Sequence, residues 1–378
     1  MEALSSTVLD LSGIPLVDQH CHGVLAGPID RSTLARFLTE SRHPLPHGGS
    51  WFDTQLGFAV RALCPPLLGL AAHAPPADYL ARRAELGAAE VTRRLLRSTG
   101  ITDYLIDTGL EDSLLGPPEL AAAAGGRAHE IVRLEAVAER VLRAGNPANR
   151  FAAAFAQALD AAAATAVAVK SIAAYRHGLD LDPARPSARA VRAAAGACQA
   201  ALERGALRLR DPVLLRHLLW AGIDTGLPVQ LHTGFGDPDL TLNRADPALL
   251  TPFLRAAQPT GTPVVLLHGY PYHRNAAYLA HVFPHVYVDV GLTLNYVGSR
   301  AGAVLAEVLE LAPFAKVLFS TDAYGLPELY ATGSALFRRH LRDVLTGWVS
   351  DQACTPADAD RVARMIAGEN ARQIYRLP

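Results

Sequence analysis

The segment IPLVDQHCHG, residues 14–23, gives the first indication of how the chain folds. Its apolar residues 14–17 predict a buried strand that ends in a polar cluster. Because side chains alternate between the two faces of a strand, His20 and His22 point the same way and Cys21 points the other way. Two imidazoles on one face can bind one metal ion, although a His-x-His pair alone is weak evidence for a metal site.

Seven more apolar segments resemble the first, each a short run that ends in polar residues or glycine. They are ITDYLIDTGL (101–110), HEIVRLEAVAER (129–140), TAVAVKSIAAYR (165–176), LPVQLHTGFGD (227–237), TPVVLLHGYP (262–271), HVYVDVGLT (285–293) and AKVLFSTDAYGLPE (315–328). Segments rich in good helix formers lie between them and predict helices at about residues 147–163, 187–204 and 211–226. Eight strands alternating with helices predict an α/β fold, a (β/α)8 TIM-type barrel.

The connection after the first strand, residues 24–98, is too long for a simple turn. It ends in a charged segment, residues 78–97, which predicts a helix. We interpret residues 24–98 as a helical insertion that is either a lid over the active face or a peripheral decoration. With 378 residues, 50% of them hydrophobic, the chain is long enough to be a single barrel domain over residues 1–378.

Composition excludes several classes of partner. The net charge is −1 and no basic stripe is present, so nucleic-acid binding is not expected. No apolar run is long enough to span a bilayer, and the N-terminus lacks the pattern of a signal peptide. The four cysteines show no short spacing, which favours a cytoplasmic protein. We therefore expect a small-molecule substrate, and a homodimer because exposed apolar barrel helices often pair.

Polar side chains at the carboxyl ends of the predicted strands form the candidate metal site. In a parallel barrel these ends share one face, so residues remote in sequence meet there. Any one of the strand-end histidines could instead have only a structural hydrogen-bonding role. Nitrogen and oxygen ligands without thiolates favour one or two Zn²⁺ ions, with Mn²⁺ or Fe²⁺ as alternatives. The candidate ligands are His20, His22, Lys170, His232, His268 and Asp322.

Candidate substrate-binding residues lie just beyond the same strand ends. An arginine at a barrel mouth suits a carboxylate, but it can equally pair with a loop acid such as Asp237 or Asp239. Acidic residues at strand ends could bind an amine or orient the histidines. The candidates are Tyr175, Arg176, Tyr270, Arg274, Asp107 and Glu135.

The ordered set VDQHCH, Lys170, LHTG, LLHG and FSTDA resembles the amidohydrolase superfamily over nearly the whole chain. The segments KSIAAYR, LHTGFGDPDL, GYPYHRNAAYLA and LFSTDAYGLPELY are similar to an amidohydrolase-related branch. In some fungal and plant proteins that domain is fused to glutamine synthetase-like domains. Each motif is weak alone, and the order of the whole set is what makes the resemblance specific.

The resemblance implies a role for each candidate ligand. His20 and His22 would bind a first metal with Asp322, while His232 and His268 would belong to a second position or contact substrate. Lys170 matches the position of a carboxylated lysine that bridges two metals, a residue with another role in one-metal members. Asp322 would act as the catalytic proton acceptor, and His268 or His232 would help to polarise a carbonyl.

Three functions remain open from the sequence. The first is hydrolysis of a C–N (amide) bond by a metal-activated hydroxide, on an amino-acid-derived substrate such as a γ-glutamyl amide. The second is metal-dependent non-oxidative decarboxylation or isomerisation of a carboxylated small molecule. The third is a non-catalytic barrel that acts as a binding protein, which would predict a broken ligand set, whereas every expected ligand position is occupied.

Overall fold

A computed structural model describes residues 9–110, 113–203 and 208–378. Within these ranges seven parallel strands form one sheet in sequence order, from β1 to β7. Arg133 lies opposite Lys170 across one strand pair, and Thr233 lies opposite His268 across another, so the strand ends align along one edge. The strands are β1 (Leu16–Cys21), β2 (Ile101–Asp107), β3 (Arg127–Arg133), β4 (Ala168–Ser171), β5 (Val229–Thr233), β6 (Val264–His268) and β7 (Val286–Val288).

The sheet is curled, and residues 317–323 lie between its two edges. The Leu318 N–H donates to the carbonyl of Val288 in β7 at 2.9 Å. On the other side, the Asp322 N–H donates to the carbonyl of His20 in β1 at 3.0 Å. This segment was predicted to be the eighth strand, and it forms only an isolated parallel bridge to β7 rather than a regular ladder. The arrangement is consistent with a TIM-type barrel.

Helices lie between successive strands and after the last one. None in the described ranges is long and apolar enough to cross a membrane. The helices are α1 (Arg31–Arg36), α2 (Gln55–Leu67), α3 (Pro76–Leu86), α4 (Ala88–Arg97), α5 (Pro117–Ala124), α6 (Leu134–Arg143), α7 (Phe151–Ala163), α8 (Ala173–Arg176), α9 (Ala188–Glu203), α10 (Pro212–Asp224), α11 (Thr251–Ala257), α12 (His273–Val282), α13 (Gly291–Val297), α14 (Ala301–Leu309), α15 (Pro327–Ser350), α16 (Pro356–Arg364) and α17 (Asn370–Tyr375).

The connection from β1 to β2 contains α1 to α4. The prediction of one charged helix over residues 78–97 was wrong, because the segment forms two helices, α3 and α4. Gly87 separates them with a φ of 79°, a left-handed backbone that glycine adopts without steric cost.

The predicted third strand, residues 129–140, is also wrong in its second half. β3 ends at Arg133 and α6 begins at Leu134, so Glu135 lies in the first turn of a helix and not on a strand face shared with Arg133. The segment that follows Arg133 consists of good helix formers, and its buried residues Leu134, Val137 and Val141 recur at helical spacing. The helical spacing of the buried residues therefore predicts this segment correctly, and the continuous apolar run does not.

The interior of the curled sheet is filled by side chains from several strands and from the C-terminal helix. The Tyr375 hydroxyl donates to the Gln19 side chain at 2.6 Å and accepts from the Gln230 side chain at 2.9 Å. These residues fill the space inside the curled sheet, so the interior is a packed core rather than a pore. The buried apolar members are Val17, Leu105, Ile131, Ala168, Val265, Leu267, Leu318, Ala371 and Tyr375.

A buried ion pair joins the β1–β2 connection to the helix after residue 322. Arg83 in α3 donates to Glu328 in the first turn of α15 at 2.7 Å, and the Tyr79 hydroxyl donates to the same oxygen at 2.7 Å. Glu328 is fully buried. Removing one partner of such a pair leaves the other charge buried without compensation.

We therefore expect Arg83→Met to lower the free energy of unfolding by about 3–5 kcal/mol. Urea denaturation followed by circular dichroism measures the loss. Arg93→Met is the matched control, since the Arg93 side chain is exposed and pairs with Glu90 on the same helix. Equal stability of the two variants would contradict the importance of the buried pair.

Candidate metal centre

Three of the predicted histidines surround one carboxylate at the carboxyl edge of the sheet. His20 Nε2 lies 3.0 Å and His22 Nε2 lies 3.4 Å from Asp322 Oδ1. His268 Nε2 lies 3.5 Å from the other oxygen, Asp322 Oδ2. All three histidines are buried. Residues up to 302 positions apart, from residue 20 to residue 322, thus meet at one point.

The other two predicted ligands adjoin this group. The ring centroids of His232 and His268 are 4.8 Å apart. Lys170 Nζ lies 2.7 Å from His20 Nε2 and 3.3 Å from Asp107 Oδ2. The structure therefore brings all six predicted metal-site residues together.

Several buried polar atoms in this group have no hydrogen-bond partner. They include His20 Nδ1, His232 Nε2, both ring nitrogens of His268, and Asp322 Oδ1. Unpaired buried polar atoms are costly in free energy, so a cluster of them indicates that a bound group normally contacts these atoms. Two sets of residues could each hold an ion, His20–His268–Asp322 and His20–His22–Asp107. Within each set the ligand atoms lie within 4.8 Å of one another. Imidazoles and carboxylates are the donors that divalent transition metals take, so the residues fit a cation.

The electrostatics keep the imidazoles in the form that binds metal. Burial and the nearby Lys170 lower the pKa of His20 to about 3, although Asp322 opposes the shift. Burial also lowers the pKa of His232 and of His268. Burial alone would raise the pKa of Asp322, but the surrounding His268, His20 and His22 hold it well below its usual value. Neutral imidazoles and an ionised carboxylate are the ligand forms that a cation needs.

Two of the ligand candidates have a strained backbone. His268 has a φ of 67° and Asp322 a φ of 49°, both in the left-handed region that non-glycine residues rarely occupy. Such strain persists where neighbours hold the backbone in place, and it clusters at functional sites. The Asp289 carboxylate accepts the His268 N–H at 2.6 Å, and the Asp18 carboxylate accepts the Thr321 N–H at 2.9 Å, next to Asp322.

Asp107, a candidate to bind an amine or to orient the histidines, lies beside the predicted ligands His20, His22 and Lys170. Its carboxylate accepts from Arg133 Nη2 at 2.6 Å and lies 3.3 Å from Lys170 Nζ. Burial opposes its ionisation, but Arg133 and Lys170 outweigh that effect and lower the pKa of Asp107. Asp107 is therefore an ionised partner of the lysine.

Glu135 lies below the turn that follows β4. Its carboxylate accepts the Ser171 hydroxyl at 2.6 Å and the Ile172 N–H at 3.0 Å. The predicted strand over residues 165–176 ends at Ser171, and Tyr175 and Arg176 lie on the short helix α8. Both line the cavity above the metal group. Glu135 thus fixes the turn that positions them.

Arg274 and Tyr270 lie away from this cavity. The Arg274 side chain is 58% exposed and lies 3.3 Å from Glu310 and 3.4 Å from Glu307. It therefore forms the surface salt bridge that was the alternative to carboxylate binding, although with other acids. Tyr270 stacks on His273, with ring centroids 5.6 Å apart, and lines a separate cavity of about 530 Å³.

The cavity above the metal group has a volume of about 510 Å³, and six of its nine charged lining residues are basic. Residues 36–42, from the connection between β1 and β2, form part of its wall and are called the roof segment below. The roof segment was not predicted from the sequence, because it has no periodic pattern and carries no motif. Charged residues in a long connection after a metal-ligand strand were the available signal. The charged lining residues are Arg36, Glu40, Arg42, Arg133, Lys170, Arg176, Arg208, Asp237 and Asp322.

A family model described as amidohydrolase matches residues 72–377. The chain belongs to the amidohydrolase family. The amidohydrolase resemblance seen in the sequence is therefore confirmed. The family and the fold are those of metal-dependent enzymes.

Two solved structures and one curated protein are similar to this amidohydrolase. A candidate metal-dependent hydrolase from Lactobacillus casei ATCC 334 shares 30% identity and a TM-score of 0.84, over 97% of this chain and 96% of that one. A uronate isomerase from Bacillus halodurans C-125 shares 14% identity and a TM-score of 0.64, over 97% and 94%. The likeness to the isomerase concerns the fold alone, so the fold does not decide the reaction.

The curated protein is Protein fluG from Emericella nidulans, which is 34% identical over 223 residues. The match covers 56% of this chain and 26% of that protein. The matched part of this amidohydrolase thus spans about a quarter of the length of its fungal relative.

Proposed function

We propose that this amidohydrolase hydrolyses a C–N (amide) bond in a small, amino-acid-derived molecule, such as a γ-glutamyl amide, with the help of a divalent metal. One observation carries the proposal, namely the buried histidines and Asp322 with unpartnered ligand atoms at the base of an arginine-lined cavity. Such a pairing of a metal site with cationic walls suits an anionic substrate.

The residues that would hold the metal are the six that meet below the cavity. His20, His22 and Asp322 would bind a first ion, and His232, His268 and Lys170 would serve a second. Zn²⁺ fits these nitrogen and oxygen donors best, and it would supply Lewis acidity and lower the pKa of a water molecule towards neutrality. Burial lowers the pKa of Lys170, which favours the neutral amine, the form that adds CO₂ to become carboxylated.

The remaining chemistry would belong to side chains of the chain itself. Asp322, ionised and flanked by histidines, would accept a proton from water and return it to the leaving nitrogen. His232 or His268 would donate to the carbonyl oxygen of the substrate as its charge grows. Among the described residues, no carboxylate lies within 4 Å of the Arg36 guanidinium, so this cavity residue is available to bind a substrate carboxylate.

We also propose how the chain completes its fold. Residues 317–322 would act as the eighth strand of a closed (β/α)8 barrel, and the chain would form one domain over residues 1–378. Residues 24–98 would be an insertion that acts as a lid, since its roof segment lines the cavity.

Chelation tests the metal dependence. We expect purified protein to contain stoichiometric metal and to release ammonia or an amine from at least one amide in a panel of amino-acid amides. Removing the metal should abolish the release, and Zn²⁺ should restore it, because the metal would lower the pKa of the attacking water. Full activity of the metal-free protein would contradict the proposal.

A rival function is decarboxylation or isomerisation of a carboxylated molecule. The contact of 3.3 Å between Lys170 Nζ and the Asp107 carboxylate favours it, because this is the pairing expected of a lysine that stays free beside a single metal. The arginine-lined cavity suits such a substrate equally well. Release of CO₂, or isomerisation of a uronate, without cleavage of any amide would decide for the rival.

A further inference from the structure

The roof segment carries a carboxylate, Glu40, that lines the cavity above the metal group. Glu40 Oε1 accepts a hydrogen bond from the Tyr296 hydroxyl at 2.9 Å, and both residues line the cavity. Tyr296 lies on α13, which follows β7, so its hydrogen bond ties the roof segment to the barrel. Glu40 is thereby held in a defined position above the site.

Glu40 differs from the other acidic residues of the cavity in having no cationic partner. Asp237 lies 3.3 Å from Arg42, and Asp322 is surrounded by histidines. Within the part of the chain that the structure describes, no lysine, arginine or histidine nitrogen lies within 4 Å of the Glu40 carboxylate. An ionised carboxylate in a partly buried position gains from a cationic partner, and a bound ligand with a positive group could supply one.

The surroundings make that position favourable for a cation. Burial, together with the charges of Asp322 and Asp237, raises the pKa of Glu40 to about 7, although the hydrogen bond from Tyr296 opposes the shift. A positive group bound beside Glu40 would relieve both the burial cost and the repulsion between carboxylates.

We propose that Glu40 binds the protonated amino group of the substrate, so that the cavity selects small molecules that carry both an ammonium group and a carboxylate. Arg36, four residues earlier on the same roof segment, provides a cation for the carboxylate. This inference rests on the proposed function only in treating the cavity as the substrate site. It adds a recognition element for a zwitterion that amide hydrolysis does not itself require.

Calorimetric titration with L-glutamate and with glutarate tests this proposal, because the two ligands differ only in the amino group. We expect the purified protein to bind glutamate at least about tenfold more tightly than glutarate, as befits a charge-assisted hydrogen bond in a partly buried site. Glu40→Gln should abolish this preference and leave the affinity for glutarate within about twofold. Glu40→Asp, which keeps the charge on a shorter side chain, should retain part of the preference.

The control variant is Glu85→Gln, which changes an exposed glutamate of α3 that pairs with Arg82. It should bind both ligands as the unmodified protein does. Equal affinity of the unmodified protein for glutamate and glutarate, absence of binding by both, or a preference that survives in Glu40→Gln would each overturn the proposal. Glutamate preference without amide hydrolysis would overturn the proposed reaction alone, and hydrolysis without this preference would overturn the role of Glu40 alone.

Discussion

Replacing His20 by alanine should cause the largest loss of metal of any single histidine replacement in the site. His20 belongs to both sets of ligand atoms, the one with His268 and Asp322 and the one with His22 and Asp107. Its Nε2 lies 3.0 Å from Asp322 and 2.7 Å from Lys170, so no neighbouring side chain can replace it without a large movement. Loss of a shared ligand should weaken metal affinity by more than the roughly 10–100-fold typical of residues that only support a ligand.

Metal analysis of the purified variant measures this loss. His22→Ala and His268→Ala each leave one of the two sets intact, so we expect them to retain part of the metal. His281→Ala is the matched control, since this exposed histidine lies on α12, with its Nδ1 3.0 Å from the Leu311 carbonyl oxygen. Full metal content in His20→Ala would show that the ion, if any, lies elsewhere.

Replacing Asp322 by asparagine should reduce kcat by roughly 10²–10⁴-fold, the range that a positioned acid–base group contributes. Asparagine keeps the shape of the side chain and a carbonyl oxygen, but it cannot accept a proton. The histidines around Asp322 hold its pKa well below the usual value, so the carboxylate is ionised and ready to act as a base.

Steady-state rates on the best amide of the panel, together with metal content, check this expectation. Asp343→Asn serves as the control because Asp343 is exposed and pairs with Arg342 at the surface. A variant Asp322→Asn that kept its metal and its full kcat would show that another group accepts the proton.

A polar residue that ends an apolar run correctly predicted the carboxyl end of a strand in two clear cases. His232 and His268 each end an apolar run, and the structure places both at the carboxyl ends of β5 and β6. Parallel pairing then brings these ends to one edge, so convergence follows from topology without knowledge of any contact. Lys170, in a buried run where an unpaired charge is costly, was predicted for the same reason.

Sequence patterns failed where helical and strand signals overlap. Glu135 follows an apolar strand directly, and only the helical spacing of the residues beyond it reveals that α6 has begun. Arg274 lies close in sequence to the predicted strand six, but it is on α12 and faces the surface acids Glu307 and Glu310. Proximity in sequence to a strand end does not determine where a long side chain points.

The roof segment could not have been predicted from local patterns. Glu40 is held by Tyr296, a residue 256 positions away, and nothing near either residue marks the pairing. Arg42 is likewise tied to Asp239 at 2.6 Å, across the cavity mouth. Such contacts depend on the path of an irregular connection, which periodicity does not encode.

A crystal structure with anomalous data collected at metal absorption edges tests the central claim most directly. We expect at least one anomalous peak within about 2.0–2.3 Å of His20, His22 and Asp322, the distances usual for nitrogen and oxygen ligands of zinc. Difference density beyond the Lys170 amine would show a carboxylated lysine. Protein loaded with excess Zn²⁺ that gave no peak between these side chains would contradict the account.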